Sequence, residues 1–193
     1  MKKFKLTSEF IVDISGVKLF RIKALIEFGN VKAGDLGGYI EKEENLSHMG
    51  NAWVSGNAQV SGDARVSGNA RVSGDAQVFG DARVSGNAQV SGNAQVSGDA
   101  RVSGNAQVFG DARVSGDAQV SGDKDYAYAH GFGSCNRTTT FFRLKDGDVG
   151  VRCGCFYGTL AQFRDKVCET HGETKKAQEY LMLADLMEIR FKN

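Results

Sequence analysis

Proline is absent from this 193-residue sequence, and histidine is scarce, with only His48, His130 and His171. Without proline, nearly all the turn work falls to the 25 glycines. Cysteine occurs four times, and in a chain that reads as cytosolic the thiols are expected to be free. Charge of one sign is missing as well. The net charge is +1 and evenly spread: 8 basic and 7 acidic residues in 1–50, 5 and 7 in 51–123, 11 and 9 in 124–193. No segment is a basic patch, which excludes binding through a nucleic-acid backbone. None is acidic enough to imitate DNA. The first sixteen residues start basic but hold no long apolar run, because Glu9 and Asp13 interrupt them. Neither a signal peptide nor a membrane span is expected, so the expected location is the cytoplasm and no membrane is a partner.

What is present is a repeat. Residues 51 to 122 repeat Asn/Asp-Ala-x-Val-Ser-Gly twelve times without a break. Ala recurs every six residues from Ala52 to Ala118, and Val from Val54 to Val120. Two residues apart on an extended strand, they point to one side. Gly and Asn/Asp tolerate the left-handed backbone of a corner. Each hexad is therefore one short strand and one corner, and coils must stack to bury the Ala-Val face. The number of hexads per coil follows from the variable positions. Asn51, Asn69, Asn87 and Asn105 are spaced by 18, as are Asp63, Asp81, Asp99 and Asp117, and as are Arg65, Arg83 and Arg101. The series Asn57, Asp75, Asn93, Asp111 alternates. Eighteen residues are three hexads, so the coil is a triangle. Stacked Asn side chains are expected to form a hydrogen-bonded ladder, and the Arg65 series to compensate the Asp63 series along one edge. Four coils at about 4.8 Å each give a prism about 20 Å long, whose ends need caps.

Units such as Val54-Ser55-Gly56-Asn57-Ala58-Gln59 resemble the hexapeptide-repeat proteins, which implies a left-handed parallel β-helix. The fold class expected is mainly β: a triangular solenoid with an N-terminal β cap (1–50), the repeat (51–123) and a small C-terminal α+β unit (124–193). The stretch Asn30 to Ile40, followed by Asn45-Leu46-Ser47, is similar to bacterial and prophage-borne hexapeptide-repeat proteins, some labelled acyltransferase-like. In the cap, Phe10–Ile14 and Val17–Ile22 read as a hairpin turned at Ser15-Gly16, and Gly29, Gly34, Gly37 and Gly38 read as loop markers. Followed backward, the register makes Asn45 to Gly50 a degenerate first hexad, with Leu46 in the Ala slot and His48 in the Val slot. His48 is read as a capping histidine held by backbone, and Leu46 and Trp53 as cap side chains.

After Gly122 the hexad fails. Gly131 to Arg137 reads as a Gly-rich loop, Thr138–Leu144 and Val149–Phe156 as a hairpin, and two helices follow, the first opened by a Thr159–Gln162 capping box: a ββαα unit. Four features there invite chemistry. Cys153, Cys155, Cys168 and His171 supply the donors of a zinc site, although a one-residue gap is poor spacing. Cys168 with His171, or Cys135 with His130, is a possible nucleophile pair. The Gly131–Ser134 loop with Arg137 and Thr138 to Thr140 offers amides and a cation for an anion. The helix Tyr180–Met187 is apolar on most sides, which asks for burial on the solenoid end or in a subunit contact. Phe132, Arg137, Phe141, Phe142 and Tyr157 are the candidate contacts for a protein partner.

The hexapeptide resemblance implies an acyltransferase with a loop histidine as general base, or three histidines holding zinc on coil faces. This chain has no His between 49 and 129. Its outer faces carry Gln, Arg and Ser, with Phe79 and Phe109 on different sides. The expectation is a non-enzymatic solenoid without a cofactor, trimeric by the resemblance, presenting its C-terminal unit to a protein partner. A phage-encoded inhibitor, acting in the host cytoplasm, and an acyltransferase-like enzyme are the alternatives.

Overall fold

The computed structural model describes residues 1–134 and 136–192. Apolar residues at alternate positions start the chain as a hairpin, β1 (Phe4–Val12) against β2 (Lys18–Ala24). Asp13 closes its turn, accepting from Ser15 and Val17 amides. A third strand, β3 (Leu36–Ile40), pairs antiparallel with β2 and parallel with the solenoid. Gly37 and Gly38, expected in a loop, lie inside this strand. A Cβ on Gly37 would stand 2.5 Å from Ile22 Cγ1 and 2.6 Å from the Val54 carbonyl. These glycines are needed for close approach of the cap to the first coil, not for a turn.

Twelve two-residue strands follow at six-residue steps: β4 (Trp53–Val54), β5 (Gln59–Val60), β6 (Arg65–Val66), β7 (Arg71–Val72), β8 (Gln77–Val78), β9 (Arg83–Val84), β10 (Gln89–Val90), β11 (Gln95–Val96), β12 (Arg101–Val102), β13 (Gln107–Val108), β14 (Arg113–Val114) and β15 (Gln119–Val120). They stack into three parallel faces, β3-β5-β8-β11-β14, β4-β7-β10-β13 and β6-β9-β12-β15. Each hexad strand meets the one 18 residues on, as Val60 meets Val78 and Val78 meets Val96. Every Ala and Val of the repeat is buried, so the interior is a column of small side chains. The coils are joined through backbone: Gln59 N–H donates to the Ala76 carbonyl (2.9 Å) and Ser61 N–H to that of Val78 (3.0 Å). Gly74 at a corner has φ +69°, and a Cβ there would lie 3.1 Å from the amide and carbonyl of Gly92. Glycine is therefore required twice over, by conformation and by space.

The Asn ladder is present. Asn51 donates to Asn69 (3.2 Å), Asn69 to Asn87 (3.1 Å) and Asn87 to Asn105 (3.1 Å). In the alternating series only Asn57–Asp75 and Asn93–Asp111 bond, since a carboxylate has no N–H to pass on. The expected Asp–Arg compensation forms no salt bridge among the described residues, and Arg65 adds only the last and smallest of the influences that lower the Asp63 pKa, after the Lys42 hydrogen bond and charge. Asp63 pairs with Lys42 at 2.7 Å, and among the described residues Asp81, Asp99 and Asp117 have no ion pair.

The degenerate hexad sits two residues from its expected register. Leu46 pairs with Val66, a step of 20, so it fills the Val slot rather than the Ala slot. Gly50 is back at a step of 18, against Gly68, and the extra residues lie between them. Leu46 needs the larger slot, and His48 leaves the coil to stack on Phe4 at 4.4 Å. Its Nδ1 accepts the Lys3 amide at 3.1 Å.

Candidate functional site

Beyond the last hexad the chain forms four antiparallel strands, β16 (Tyr126–Phe132), β17 (Arg137–Arg143), β18 (Val149–Cys153) and β19 (Phe156–Thr159), then α1 (Leu160–His171) and α2 (Lys175–Phe191). Two strands more than expected are present. Tyr126–Phe132 carries no alternation of apolar with polar residues, only of large with small, and the turn at Gly154 divides what reads as one strand from Val149 to Phe156. The expected capping box opens α1: Thr159 N–H donates to Gln162 Oε1 (2.9 Å), and Gln162 N–H to Thr159 Oγ1 (3.3 Å).

Consecutive strand residues face opposite sides. Phe141 therefore packs toward the helices with Phe163, Val167, Tyr180, Ala184 and Met187. Phe142 enters the solenoid core with Tyr126. The sheet is thus pressed between the helices and the last coil. Thr140 Oγ1 accepts the Arg113 amide at 2.9 Å, and Lys145 N–H donates to the Asp117 carbonyl at 3.1 Å. Asp125 accepts the amides of Ser121 (2.9 Å) and Gly122 (3.2 Å). Burial raises the Asp125 pKa, but these bonds and one from the Ser121 hydroxyl outweigh it and hold the carboxyl below its ordinary range.

Of the five candidate partner contacts, Phe132, Arg137 and Tyr157 stand at the surface. Phe141 and Phe142 do not: both are 0% exposed, because one residue welds the sheet to the helices and the next welds it to the solenoid. The zinc set is not assembled either. Cys153 ends β18 and Cys155 lies in the turn past Gly154, so they do not share one strand face. Cys153 Sγ sits between Thr139 Oγ1 (3.2 Å) and the Tyr180 hydroxyl (3.7 Å). Cys168 is exposed on α1, and among the described residues no three His, Cys, Asp or Glu side chains gather as metal ligands. His171 lies against the Tyr180 ring at 5.8 Å, without a hydrogen bond to Cys168 among the described residues. Cys135, the other nucleophile candidate, lies outside the described residues; its proposed partner His130 bonds Thr138 through Nδ1 at 2.9 Å.

The Gly-rich loop does cradle an anion, but it is the protein's own. Gly133 N–H donates to Glu179 Oε2 at 2.8 Å, and Ser134 N–H to the Tyr180 hydroxyl at 3.0 Å. Burial pushes the Tyr180 hydroxyl pKa upward. These amides are taken by α2, so the loop is an anchored turn between β16 and β17. On α2 the apolar surface divides. Tyr180, Ala184 and Met187 are buried in the unit itself, with the sheet between them and the solenoid, while Met182, Leu186 and Ile189 are 56–71% exposed. No helix among the described residues is long and apolar enough to cross a membrane.

Three parallel faces of two-residue strands, repeated at six-residue steps, define the molecule as a β-solenoid repeat protein. The family model described as the YdcK beta solenoid repeat matches residues 58–74, 64–78, 76–92, 94–108 and 106–122. These matches lie wholly within the coils and together span about a third of the chain, so the likeness concerns the scaffold. No curated protein matches the chain.

Proposed function

We propose that this protein is a non-enzymatic structural and interaction protein: a β-solenoid spacer that assembles as a homotrimer and holds its C-terminal unit in a fixed pose for a protein partner. The observation that carries this reading is the weld at the last coil. Phe142 in the solenoid core and the Thr140 and Asp125 bonds to the rim make scaffold and C-terminal unit one body. The exposed stripe Met182, Leu186, Ile189 on α2, with Phe132 and Tyr157, gives that unit the apolar surface a partner contact needs. The cytoplasm is the proposed location, and a phage-encoded inhibitor of a host or defence protein is the same design with a particular partner.

Light scattering on the size-exclusion peak tests the assembly, with a trimer mass expected; a monomer at all concentrations would overturn that part. Loss of a captured partner on Leu186→Glu, with the melting curve preserved, is the expected mark of presentation by α2. Acetyl-CoA is expected not to raise the melting temperature, and a saturable rise would restore the acyltransferase reading.

A further inference from the structure

An open cleft of about 560 Å³ lies where the last coil meets the C-terminal sheet. Arg113 enters it from the solenoid, and His130, Arg137 and Thr138 from the sheet. Along this solenoid face the outward residues are Gln59, Gln77, Gln95 and then Arg113, in register. The column thus changes from amide to cation at the one coil that borders the cleft. Neither Arg113 nor Arg137 has a carboxylate within salt-bridge distance among the described residues. The single acid on the cleft, Asp111, accepts Asn93 Nδ2 at 3.0 Å.

The backbone around these cations is specialised. Arg137 lies over the turn between β18 and β19, where a Cβ on Gly154 would overlap its guanidinium. The residue before it, Asn136, has φ +48° and is the one non-glycine with positive φ among the described residues. Such backbone costs free energy and tends to collect at functional sites. The bond from His130 Nδ1 to Thr138 Oγ1 fixes the imidazole, and Nε2 has no partner among the described residues.

We propose that this cleft binds a phosphate-bearing small molecule between the guanidiniums of Arg113 and Arg137, with His130 Nε2–H, which is free to donate when Nδ1 accepts the Thr138 hydroxyl, completing the donor set. A carboxylate fills one guanidinium fork, whereas a phosphate has enough oxygens to bridge two. The cleft is bounded by the coil rim and the β-turn, and among its described lining residues Arg113 and Arg137 are the two Lys or Arg side chains, which fits a small ligand and not a nucleic-acid strand. The site goes beyond the scaffold reading and needs neither an oligomer nor a protein partner.

Calorimetric titration of the full chain at low salt, with pyrophosphate, inorganic phosphate and adenosine monophosphate as probes, tests this. Saturable binding of one pyrophosphate or one nucleotide per chain is expected; binding of the nucleotide alone would assign the phosphate to an organic ligand. Arg113→Gln and Arg137→Gln should each weaken binding by about tenfold or more, and Arg113→Lys, which keeps charge but loses the fork, by less. Arg101→Gln, on another face, should leave it unchanged. The proposal is overturned if no probe binds below about 1 mM, or if Arg101→Gln weakens binding as much as Arg113→Gln, the mark of unspecific charge. Undiminished binding by the folded Arg113→Gln/Arg137→Gln double variant overturns it equally.

Discussion

Asn87 both accepts from Asn69 and donates to Asn105, and that double role sets what one ladder position is worth. Asn87→Ala removes two exposed hydrogen bonds and should cost about 1 kcal/mol in chemical denaturation. The Asp column makes the opposite prediction. Asp81 stacks on Asp63 and Asp99 in register with no donor among them. Asp81→Asn supplies the N–H that Asn57 gives Asp75 and removes a like charge, so a gain of about 0.5–1 kcal/mol is expected. A loss would mean that the carboxylate column serves something the free chain does not reveal. Lys3 titrates in a distinctive way. It is 1% exposed, its ammonium lies 2.8 Å from the Ala52 carbonyl, and burial pulls its pKa from 10.5 down to about 8. Between pH 8 and 10.5 the unfolded chain holds a proton on Lys3 that the folded chain has released. Stability therefore rises with pH across this window, by up to about 3 kcal/mol. Burial lifts Tyr126 to about 12, which lowers stability from pH 10 upward, so the readout is the difference between wild type and Lys3→Met. The rise should be missing in the variant; equal slopes would show that Lys3 does not titrate there.

At the level of elements, the hexad strands were legible because one pattern dictates both strand and corner. Ala and Val at a period of two set the inner face, and the 18-residue spacing of Asn and Asp set the three sides. What stayed hidden lacks a local signal. β3 is marked by Gly37 and Gly38, whose use is close approach to Ile22 and Val54, a tertiary fact. β16 alternates large with small residues (Tyr126, Tyr128, His130 and Phe132 against Ala127, Ala129 and Gly131) but not apolar with polar, and the Gly154 turn is masked by the apolar residues around it. The two-residue slip at Leu46 is decided by side-chain volume against Val66, which the repeat register cannot express. The candidate site suffered most. The zinc reading needs Cys153 and Cys155 on one strand face under the first helix, whereas β18 ends at Cys153 and the fold sets its thiol against Tyr180 and Thr139. Arg113 was hidden within the repeat, and its one signal was a break in the column of Gln59, Gln77 and Gln95. The corner glycine gives this scale its prediction. Gly74→Ala forces a Cβ onto φ +69° and into contact with Gly92 at 3.1 Å, so a loss of about 1–3 kcal/mol is expected from denaturation. Loss should be smaller at Gly122, where a Cβ meets nothing within 4 Å.

Over the whole molecule, the stacking has a direction. The amides of the variable, Ser and corner residues donate to the following coil, as Gln59, Ser61 and Asn57 donate to Ala76, Val78 and Gly74. The first rim is therefore rich in free carbonyls and the last in free N–H groups. The two caps answer this asymmetry with opposite chemistry. At the first rim the donors are Lys3 Nζ, to the Ala52 carbonyl, and Asn45 Nδ2, to the carbonyls of Gly62 (3.0 Å) and Ala64 (2.9 Å). At the last rim the side-chain groups are acceptors, Thr140 Oγ1 and the Asp125 carboxylate, beside one backbone donor, Lys145 N–H to the Asp117 carbonyl. A fragment of residues 51–122 alone would expose both rims, each the hydrogen-bonding complement of the other and in the same three-sided register. Head-to-tail contacts of this kind do not close, and open contacts grow into filaments. The fragment is expected to form filaments visible by electron microscopy, lengthening with concentration. Removing only residues 124–193 leaves the first rim covered, so exposed N–H rims meet no carbonyl rim, and amorphous aggregation without ordered growth is expected. A fragment 51–122 that stayed monomeric, or filaments from the singly truncated chain, would show that the caps do more than match the polarity of the rims they cover.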